Sequence, residues 1–413
     1  MSAPPPRPHP LARSGFARHA DRIIARIWRQ GLTPKPPLGP EFLWRKGSEG
    51  FEGENETSIR APEDVADFRD RVEHLCQSLT EEAALNALGH TLAYGQITAA
   101  IRKRHALGRL WRDRPELATT PIAPPIVVVG QMRAGTTRLH RLLSADPAHA
   151  GTRFCNALDP VPAKPDWRPI KSGFALALAR RINPWLDTLH PFGATRVDEE
   201  ISWLSYALDA CTYEAQWRIP SFVAFNEATD PAPIYREFAR ILRTDAAAMG
   251  NAELPRVLKV PQFSEALPAL LDQFPDARIV VARRDEEAVL ESSVSMVASQ
   301  SAFQSDHADL AAIRAEWRRK IALRTARIEA AMAQFDGPLA RVDFDEFDFD
   351  SEAVVKRIYK DLRIGLSSEA RIAMRRENAR ASRDSHGQHR AQISGFKSRG
   401  AEPTSQAGAV RQT

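Results

Sequence analysis

The sequence predicts an α/β protein with a three-layer fold, in which a central parallel sheet lies between helices, plus an N-terminal helical subdomain. The first observation is a run of β-formers, PIVVVG, followed by a glycine-containing polar loop and an apolar, helix-like segment. The second is the alternation that follows, in which short apolar strands precede longer segments of helical periodicity. Strands that alternate with helices form a parallel sheet covered on both faces.

The elements follow from this pattern in chain order. Strands are predicted at 125–130, 256–260, 277–283 and 339–344. Helices are predicted at 136–145, 170–190, 198–217, 232–250, 264–274, 285–300, 308–335 and 351–362. The resulting organisation is a basic, proline-rich, partly disordered segment (1–60), a helical subdomain (61–120), the α/β domain (121–385) and a basic tail (386–413).

Composition limits the function classes. The chain has 413 residues, 43% of them hydrophobic, which is enough for one large domain with its own core. No stretch approaches the roughly 18 apolar residues of a membrane span, so no transmembrane segment is predicted. Cys76, Cys155 and Cys211 are too widely spaced to indicate a disulfide framework or a metal site, which favours a cytoplasmic location.

Charge is concentrated at the two ends of the chain. Residues 1–35 hold seven basic side chains against one acidic, and residues 371–413 hold nine against three. Aromatic residues are sparse among them, with Phe16 and Trp28 in the first segment and Phe396 in the second, so no nucleic-acid partner is expected. The stretch FARHADRIIARIWRQ places apolar residues on one helical face and arginines on the other. Such a helix either docks on its own protein or makes peripheral membrane contact, and both interpretations stay open.

The loop after the first strand, GQMRAGTT at 130–137, has the features of a phosphate-binding loop. Its glycines permit a tight turn, and the next helix starts near Thr136, so the first amides and the helix dipole face one point. Thr136 stands where a P-loop NTPase has its lysine, which disfavours ATP-type phosphoryl transfer. The residues predicted to bind the phosphate are Arg133, Ala134, Gly135, Thr136 and Thr137.

A second element lies past a later strand. Arg284 follows that strand directly, and Ser292 lies about two turns into the next helix. This pair could hold a second, separate phosphate. A surface arginine and a helix serine are common, so the element is informative only together with the loop.

The two elements together resemble sulfotransferases that use 3′-phosphoadenosine 5′-phosphosulfate (PAPS), in the bacterial small-molecule and carbohydrate branch. The loop is similar to the family pattern G-x-P-R-[SA]-G-T-T, with Gln131 and Met132 replacing x-Pro, and the Arg284 to Ser292 spacing is the family's. The resemblance spans roughly residues 60 to 390. It includes IAPPIVVVG, LHRLLSADP, HPFGAT, VLKVP, FPDARIVVARRD and RVDFDEF.

This resemblance implies a P-loop-containing fold and a metal-independent reaction. The loop would hold the 5′-phosphosulfate of PAPS, and Arg284 and Ser292 would hold its 3′-phosphate. The sulfuryl group would pass in line to a hydroxyl or amine of a small-molecule, lipid or carbohydrate acceptor, with a general base taking the acceptor's proton.

The general base is not indicated directly. Asn156 stands where relatives carry a glutamate, and an amide cannot accept a proton. HPFGATRVDEE is similar to a family motif with a histidine and a paired acid, which makes His190 and Glu199 the candidates. The alternatives are a turn-stabilising histidine and a helix-start acid. Lys259 ends a predicted strand at the ligand-binding edge of the sheet and is a candidate contact of the sulfo group or acceptor.

Three further interpretations stay open at this point. The protein could be a P-loop small-molecule kinase, although the lysine is missing, or a catalytically weak nucleotide-binding protein. A group of aromatic residues could line an apolar acceptor pocket or belong to the core. These residues are Tyr206, Tyr213, Trp217, Phe222, Phe225 and Tyr235.

Overall fold

A five-stranded parallel sheet forms the centre of the molecule. The computed structural model describes residues 7–381 and Phe396. The strands are β1 (Ile126–Gly130), β2 (Ala150–Gly151), β3 (Arg256–Lys259), β4 (Arg278–Arg283) and β5 (Leu339–Asp343). Their order across the sheet is β2-β3-β1-β4-β5, and every pairing is parallel. All five residues of β1 are buried, as the central strand of a doubly covered sheet requires.

Helices surround this sheet. The helices before β1 are α1 (Gly15–Arg29), α2 (Pro40–Ser48), α3 (Gly53–Thr57), α4 (Pro62–Glu81), α5 (Ala87–Asp113) and α6 (Glu116–Thr119). Those between β1 and β3 are α7 (Thr136–Leu143), α8 (Phe154–Leu158), α9 (Arg168–Ile182), α10 (Leu186–Leu189), α11 (Ile201–Tyr206), α12 (Cys211–Glu214), α13 (Pro220–Ala228) and α14 (Ala232–Met249). The remainder are a 3-10 helix (Pro261–Ser264), α15 (Leu267–Gln273), α16 (Glu286–Ala302), α17 (Leu310–Ala333), α18 (Phe344–Phe349), α19 (Ser351–Asp361) and α20 (Ser368–Ala381).

The predicted three-layer α/β fold is confirmed, and the four predicted strands are present within about one residue at each end. The fifth strand, β2, was not predicted because two residues carry no periodicity. The helix predicted at 170–190 is wrong as a single element, since it is interrupted between α9 and α10, where Pro184 lies. The helix predicted at 198–217 divides into α11 and α12, because Leu208 between them takes a left-handed conformation.

The helical subdomain shares its core with the rest of the molecule. Trp111 of α5 is fully buried beside Trp203 and Phe238, and its indole N–H donates to Thr244 Oγ1 at 2.8 Å. Leu75 of α4 lies in a second cluster that also contains residues of α12 and α13. The core packs continuously across the domain boundary that is expected near residue 120. The predicted domain boundaries therefore stay predictions.

From Arg7 onward, the N-terminal segment contacts the rest of the molecule. The Arg7 guanidinium is buried and donates to the Ser295 carbonyl oxygen at 3.1 Å. Helix α1 docks on α5, where Asp21 accepts a hydrogen bond from the Leu88 amide at 3.0 Å. Residues 1–6, and the tail 386–413 apart from Phe396, lie outside the described residues.

The structure bears on the cysteines and on the search for membrane-spanning helices. Cys76, Cys155 and Cys211 are all buried free thiols. Within residues 7–381, none of the helices combines the length and the apolar character that a membrane crossing demands.

The packing of α3 against α5 predicts opposite effects for two glycine substitutions in one helix. A Cβ at Gly108 would lie 1.5 Å from the Asn55 carbonyl oxygen, whereas a Cβ at Gly95 would have no neighbour within 4 Å. We expect Gly108→Ala to lower the free energy of unfolding by roughly 3 kcal/mol, because backbone must move. Gly95→Ala should raise it by about 0.5–1 kcal/mol, because alanine is the better helix former. Urea denaturation measures both, and equal effects would contradict this packing.

Candidate active site

A cavity of about 1210 Å³ opens at the carboxyl ends of the strands. The first turn of α7, which follows β1, contributes Thr137 to its wall, and β3 contributes its last residue, Lys259. Arg284 follows β4 directly, and Phe344 follows β5 directly. Open parallel sheets bind ligands at this edge, because loops from neighbouring strands converge there.

The loop after β1 has a backbone that few residue types tolerate. Gly135 has a φ of 81°, and a Cβ on it would lie 2.3 Å from the Phe344 ring, so both conformation and space require glycine. Arg133 is also left-handed, with a φ of 72°. A non-glycine residue in this region costs about 1–3 kcal/mol and persists where its surroundings hold it, commonly at ligand sites.

Arg133 joins the two sequence motifs. Its Nε donates to Ser292 Oγ at 2.8 Å, and its Nη1 donates to the Leu189 carbonyl oxygen at 2.6 Å. Arg284 Nη1 donates in turn to the Arg133 carbonyl oxygen at 2.8 Å, and its guanidinium lies 4.2 Å from the centre of the Phe344 ring. The structure thus brings Arg133 together with Arg284 and Ser292, which lie 151 and 159 positions further along the chain.

The electrostatics of this arrangement favour a bound anion. Burial, followed by the neighbouring Arg284 charge, lowers the pKa of Arg133 to about 10, so Arg133 stays cationic at neutral pH. The hydrogen bonds of its guanidinium go to a hydroxyl and a carbonyl, both uncharged. A phosphate or sulfate would offset the desolvation of this cation and the repulsion between the two guanidiniums.

Not every predicted loop residue faces the cavity. Ala134 is buried in a cluster with Val289 and Trp317, and its N–H donates to the Gln131 carbonyl oxygen at 3.1 Å. The Gln131 side chain donates to the Ile321 carbonyl oxygen at 2.9 Å, which ties the loop to α17. The lining residues of the loop are Met132, Arg133, Gly135, Thr136 and Thr137.

The predicted catalytic residues form one cluster beside the loop. Lys259 Nζ lies 2.5 Å from Glu199 Oε1 and 3.2 Å from Thr137 Oγ1. His190 donates from Nε2 to Asp198 Oδ1 at 2.9 Å, and its Nδ1 lies 3.6 Å from Glu199 Oε1. The histidine and the paired acids of HPFGATRVDEE therefore meet, and a lysine from a different strand reaches the phosphate-binding loop.

Both carboxylates of the cluster are held ionised by nearby cations. Burial by itself raises the pKa of Glu199, but Lys259 and then His190 outweigh it and leave this pKa below its ordinary value. The pKa of Asp198 is lowered strongly, because His190 and Arg141 outweigh its burial. Arg141 Nη2 lies 3.1 Å from Asp198 Oδ2.

The same cluster has the residue types of a metal site. Ligand atoms of His190, Asp198 and Glu199 all lie within 4.8 Å of one another, the one such group of histidine, cysteine and acidic residues among residues 7–381. Lys259 and Arg141 already place positive charge against these carboxylates. The arrangement therefore fits an acid–base set that is neutralised by side chains.

Asn156 and the aromatic residues of segment 206–235 lie away from the cavity. Asn156, aligned with the expected glutamate, is buried outside the cavity, where its Nδ2 donates to Asp245 Oδ1 at 2.6 Å. The aromatic residues considered for an acceptor pocket belong to the core or pack against it, and none lines the cavity. They are Tyr206, Tyr213, Trp217, Phe222, Phe225 and Tyr235.

The apolar wall of the cavity comes from elsewhere. Its residues include Phe154, Leu176, Ala179, Leu186, Leu189, Phe192 and Met296. Several lie on α9 and α10, where helical periodicity alone cannot distinguish a cavity wall from a core face. Sequence reasoning also missed Phe344, whose signal would have been its position directly after a strand, and Arg138, which lines the cavity and pairs with Asp348 at 2.8 Å.

Comparison with known proteins identifies the class to which this fold and site belong. Residues 124–368 match the family model described as "Sulfotransferase family". Because the match covers more than half of the chain, the chain belongs to the sulfotransferase family. This membership confirms the resemblance inferred from the loop and the Arg284–Ser292 pair, and it favours sulfuryl transfer over the kinase interpretation.

Individual relatives come from mycobacteria. The chain is 29% identical, over 189 residues, to omega-hydroxy-beta-dihydromenaquinone-9 sulfotransferase Stf3 of Mycobacterium bovis and of Mycobacterium tuberculosis. That match covers 44% of this chain and 47% of Stf3, about half of the relative's length. The crystal structure of sulfotransferase STF1 from M. tuberculosis superimposes with a TM-score of 0.73 at 28% identity, over 89% of this chain and 99% of STF1. Sulfotransferase STF9 from Mycobacterium avium shares the fold, with a TM-score of 0.72 at 20% identity over 84% and 89% of the two chains.

A buried carboxyl next to the cluster predicts a pH-dependent stability. Glu200 accepts a hydrogen bond from the Lys259 amide at 3.0 Å, and burial raises its pKa from 4.5 to about 7. The folded protein binds this proton more tightly than the unfolded chain, so the free energy of unfolding falls as pH rises from 4.5 to about 7 and stays lowered above it.

Glu200→Gln removes this penalty while keeping an acceptor for the Lys259 amide. We expect it to stabilise the protein by up to about 3 kcal/mol at pH 8 and to have little effect at pH 5. Urea denaturation at the two pH values measures the difference. Glu253→Gln, an exposed site before β3, is the control and should change neither value. A Glu200→Gln effect that is equal at both pH values would rule out this carboxyl as the source.

Proposed function

We propose that this protein transfers a sulfuryl group from PAPS to a hydroxyl of an apolar, lipid-like acceptor. The observation that carries the proposal is the convergence of Arg133, Arg284 and Ser292 at one part of a cavity that has an extensive apolar wall. Membership of the sulfotransferase family supports the reaction type. The printed name of Stf3, a menaquinone-derivative sulfotransferase, supports a lipid-like acceptor.

The residues present fit the donor. The first amides of α7 have no carbonyl partner within the helix, and with Arg133, Thr136 and Thr137 they would hold the 5′-phosphosulfate. Arg284 and Ser292 would hold the 3′-phosphate. When bound, PAPS supplies an activated sulfuryl group attached to a phosphate leaving group. The lining of the apolar wall, which includes Leu176 and Leu189, would exclude water and accept the hydrocarbon part of the acceptor.

His190 is the general base in this proposal. Asp198 accepts the Nε2–H hydrogen bond, which leaves Nδ1 with a free lone pair for the proton of the acceptor hydroxyl. The ionised Asp198 then stabilises the imidazolium that forms, as the carboxylate does in a catalytic triad. Glu199 is the weaker base because the Lys259 cation holds its pKa low. Its charge, 3.6 Å from Nδ1, adds to the stabilisation of the imidazolium.

Lys259 supplies positive charge to the reacting end of the loop. Its ammonium group bridges Glu199 and Thr137, so it lies where a P-loop hydroxyl meets the acid–base cluster. A cation in this place would stabilise the charge that develops on the departing phosphate oxygen. This side chain thereby replaces, from a neighbouring strand, the lysine that the loop lacks.

Donor binding tests the first half of the proposal. We expect calorimetric binding of 3′-phosphoadenosine 5′-phosphate without metal, weakened roughly 10- to 100-fold in Arg284→Ala, because a charge-assisted hydrogen-bond donor is lost. The adjacent, exposed Arg283→Ala is the matched control and should bind like the wild type. A wild type that binds ATP with Mg²⁺ but not this nucleotide would overturn the proposal.

Turnover tests the second half. We expect His190→Gln to lower kcat by roughly 10²- to 10⁴-fold with a long-chain primary alcohol as acceptor, because the general base is removed. Calorimetry should show unchanged nucleotide binding in this variant, and the exposed His307→Gln should keep full activity. If Glu199→Gln were inactive while His190→Gln retained activity, Glu199 would be the base instead. A wild type that binds the nucleotide but transfers nothing to any alcohol would indicate a binding protein.

A further inference from the structure

Helix α9 is apolar on two opposite faces. On one face, Leu176 and Ala179 line the cavity. On the other, Ile170, Phe174 and Leu178 are spaced one turn apart and are 52%, 74% and 52% exposed. Large apolar side chains that are exposed together in one stripe indicate an interaction surface.

Helix α1 lies against α9 and also carries exposed apolar residues. It begins against the end of α9, where Ser14 Oγ donates to the Ile182 carbonyl oxygen at 2.7 Å. Its inner side docks on α5, but Phe16 and Ile23 stay 42% and 44% exposed. Trp167, just before α9, is 55% exposed. We call the exposed residues of these two helices the α1–α9 face.

Basic side chains accompany the α1–α9 face. They are Arg22, Arg26 and Arg29 on α1 and Lys171 and Arg181 on α9, all exposed. None of the five forms an ion pair with a carboxylate within the described part of the chain. The one acid of α1, Asp21, is engaged by the Leu88 amide. Apolar residues accompanied by uncompensated cations complement an anionic lipid surface.

We infer that the α1–α9 face docks on an anionic lipid bilayer and so sets the cavity wall formed by α9 against the membrane. A second copy of the chain fits less well, because two like-charged faces would repel each other. The apolar stripe would enter the acyl boundary while the arginines contact phosphate groups. The consequence for the acceptor, direct entry of a lipid from the bilayer past α9, rests on the proposed function, whereas the docking itself does not.

Vesicle flotation tests the docking with the full-length protein. We expect binding to vesicles of phosphatidylcholine mixed with phosphatidylglycerol and much weaker binding to phosphatidylcholine alone. Phe174→Ser combined with Leu178→Ser should lower the partition coefficient at least about tenfold, because two apolar anchors are lost. The control pair is Phe349→Ser with Ile372→Ser, on exposed apolar residues of α18 and α20, and it should bind within twofold of the wild type.

The charged component has its own matched pair of variants. Arg22→Gln with Arg26→Gln should weaken binding roughly 25-fold at low salt, about fivefold for each basic side chain. Arg371→Gln with Arg376→Gln removes two exposed arginines of α20 and should have little effect. Brominated lipids should quench part of the tryptophan fluorescence, and Trp167→Phe should abolish that part.

Three results would overturn the inference. The first is that the wild type does not bind anionic vesicles, and the second is that the Phe174→Ser/Leu178→Ser variant binds them as the wild type does. The third is that the wild type self-associates without binding vesicles and that the double variant is monomeric. The flotation assay contains no sulfuryl donor, so its result is independent of whether transfer occurs. A variant that keeps activity on a short-chain, water-soluble alcohol but loses it on a bilayer-embedded alcohol would support the entry route. Equal loss on both alcohols would count against it.

Discussion

One hydrogen bond joins the loops that follow two adjacent strands, from the Arg284 side chain to the Arg133 carbonyl oxygen, and the rest of the site is arranged around it. Strands β1 and β4 pair in parallel, so the loops that follow them start at the same edge of the sheet. Arg133 takes a strained backbone conformation there, and Arg284 donates to its carbonyl oxygen. Burial and the neighbouring Arg284 charge lower the pKa of Arg133, and an anionic ligand would relieve both effects.

The acid–base cluster shows a second balance of charge. Asp198 and Glu199 are adjacent in the chain, yet each has its own cation, Arg141 in one case and Lys259 in the other. His190 lies between the two carboxylates, with Nε2 2.9 Å from Asp198 Oδ1 and Nδ1 3.6 Å from Glu199 Oε1. Lys259 comes from β3, on the opposite side of β1 from β4. The three central strands therefore each contribute charge to one cavity.

The apolar part of the site shows that helical periodicity in a sequence cannot distinguish a core face from a cavity wall. The aromatic residues around Tyr213 and the aliphatic residues of α9 give the same sequence signal, since apolar spacing reports only that a face avoids water. The aromatic group fills the core, whereas α9 lines the cavity on one side and is exposed on the other. Asn156 shows the same limit, because its alignment with a catalytic position says nothing about the buried network that holds it.

The sequence by itself determined the α/β class, four of the five strands, and the loop and Arg284–Ser292 pair that indicate the family. These are local signals, since strand propensity, a glycine-rich turn and a fixed spacing are all readable within a few turns of chain. Only the tertiary structure decided which charges meet, because Lys259, His190 and Arg133 come from separate segments. It also decided which apolar helix faces a cavity, because burial depends on the neighbours that pack against each face and not on the face alone.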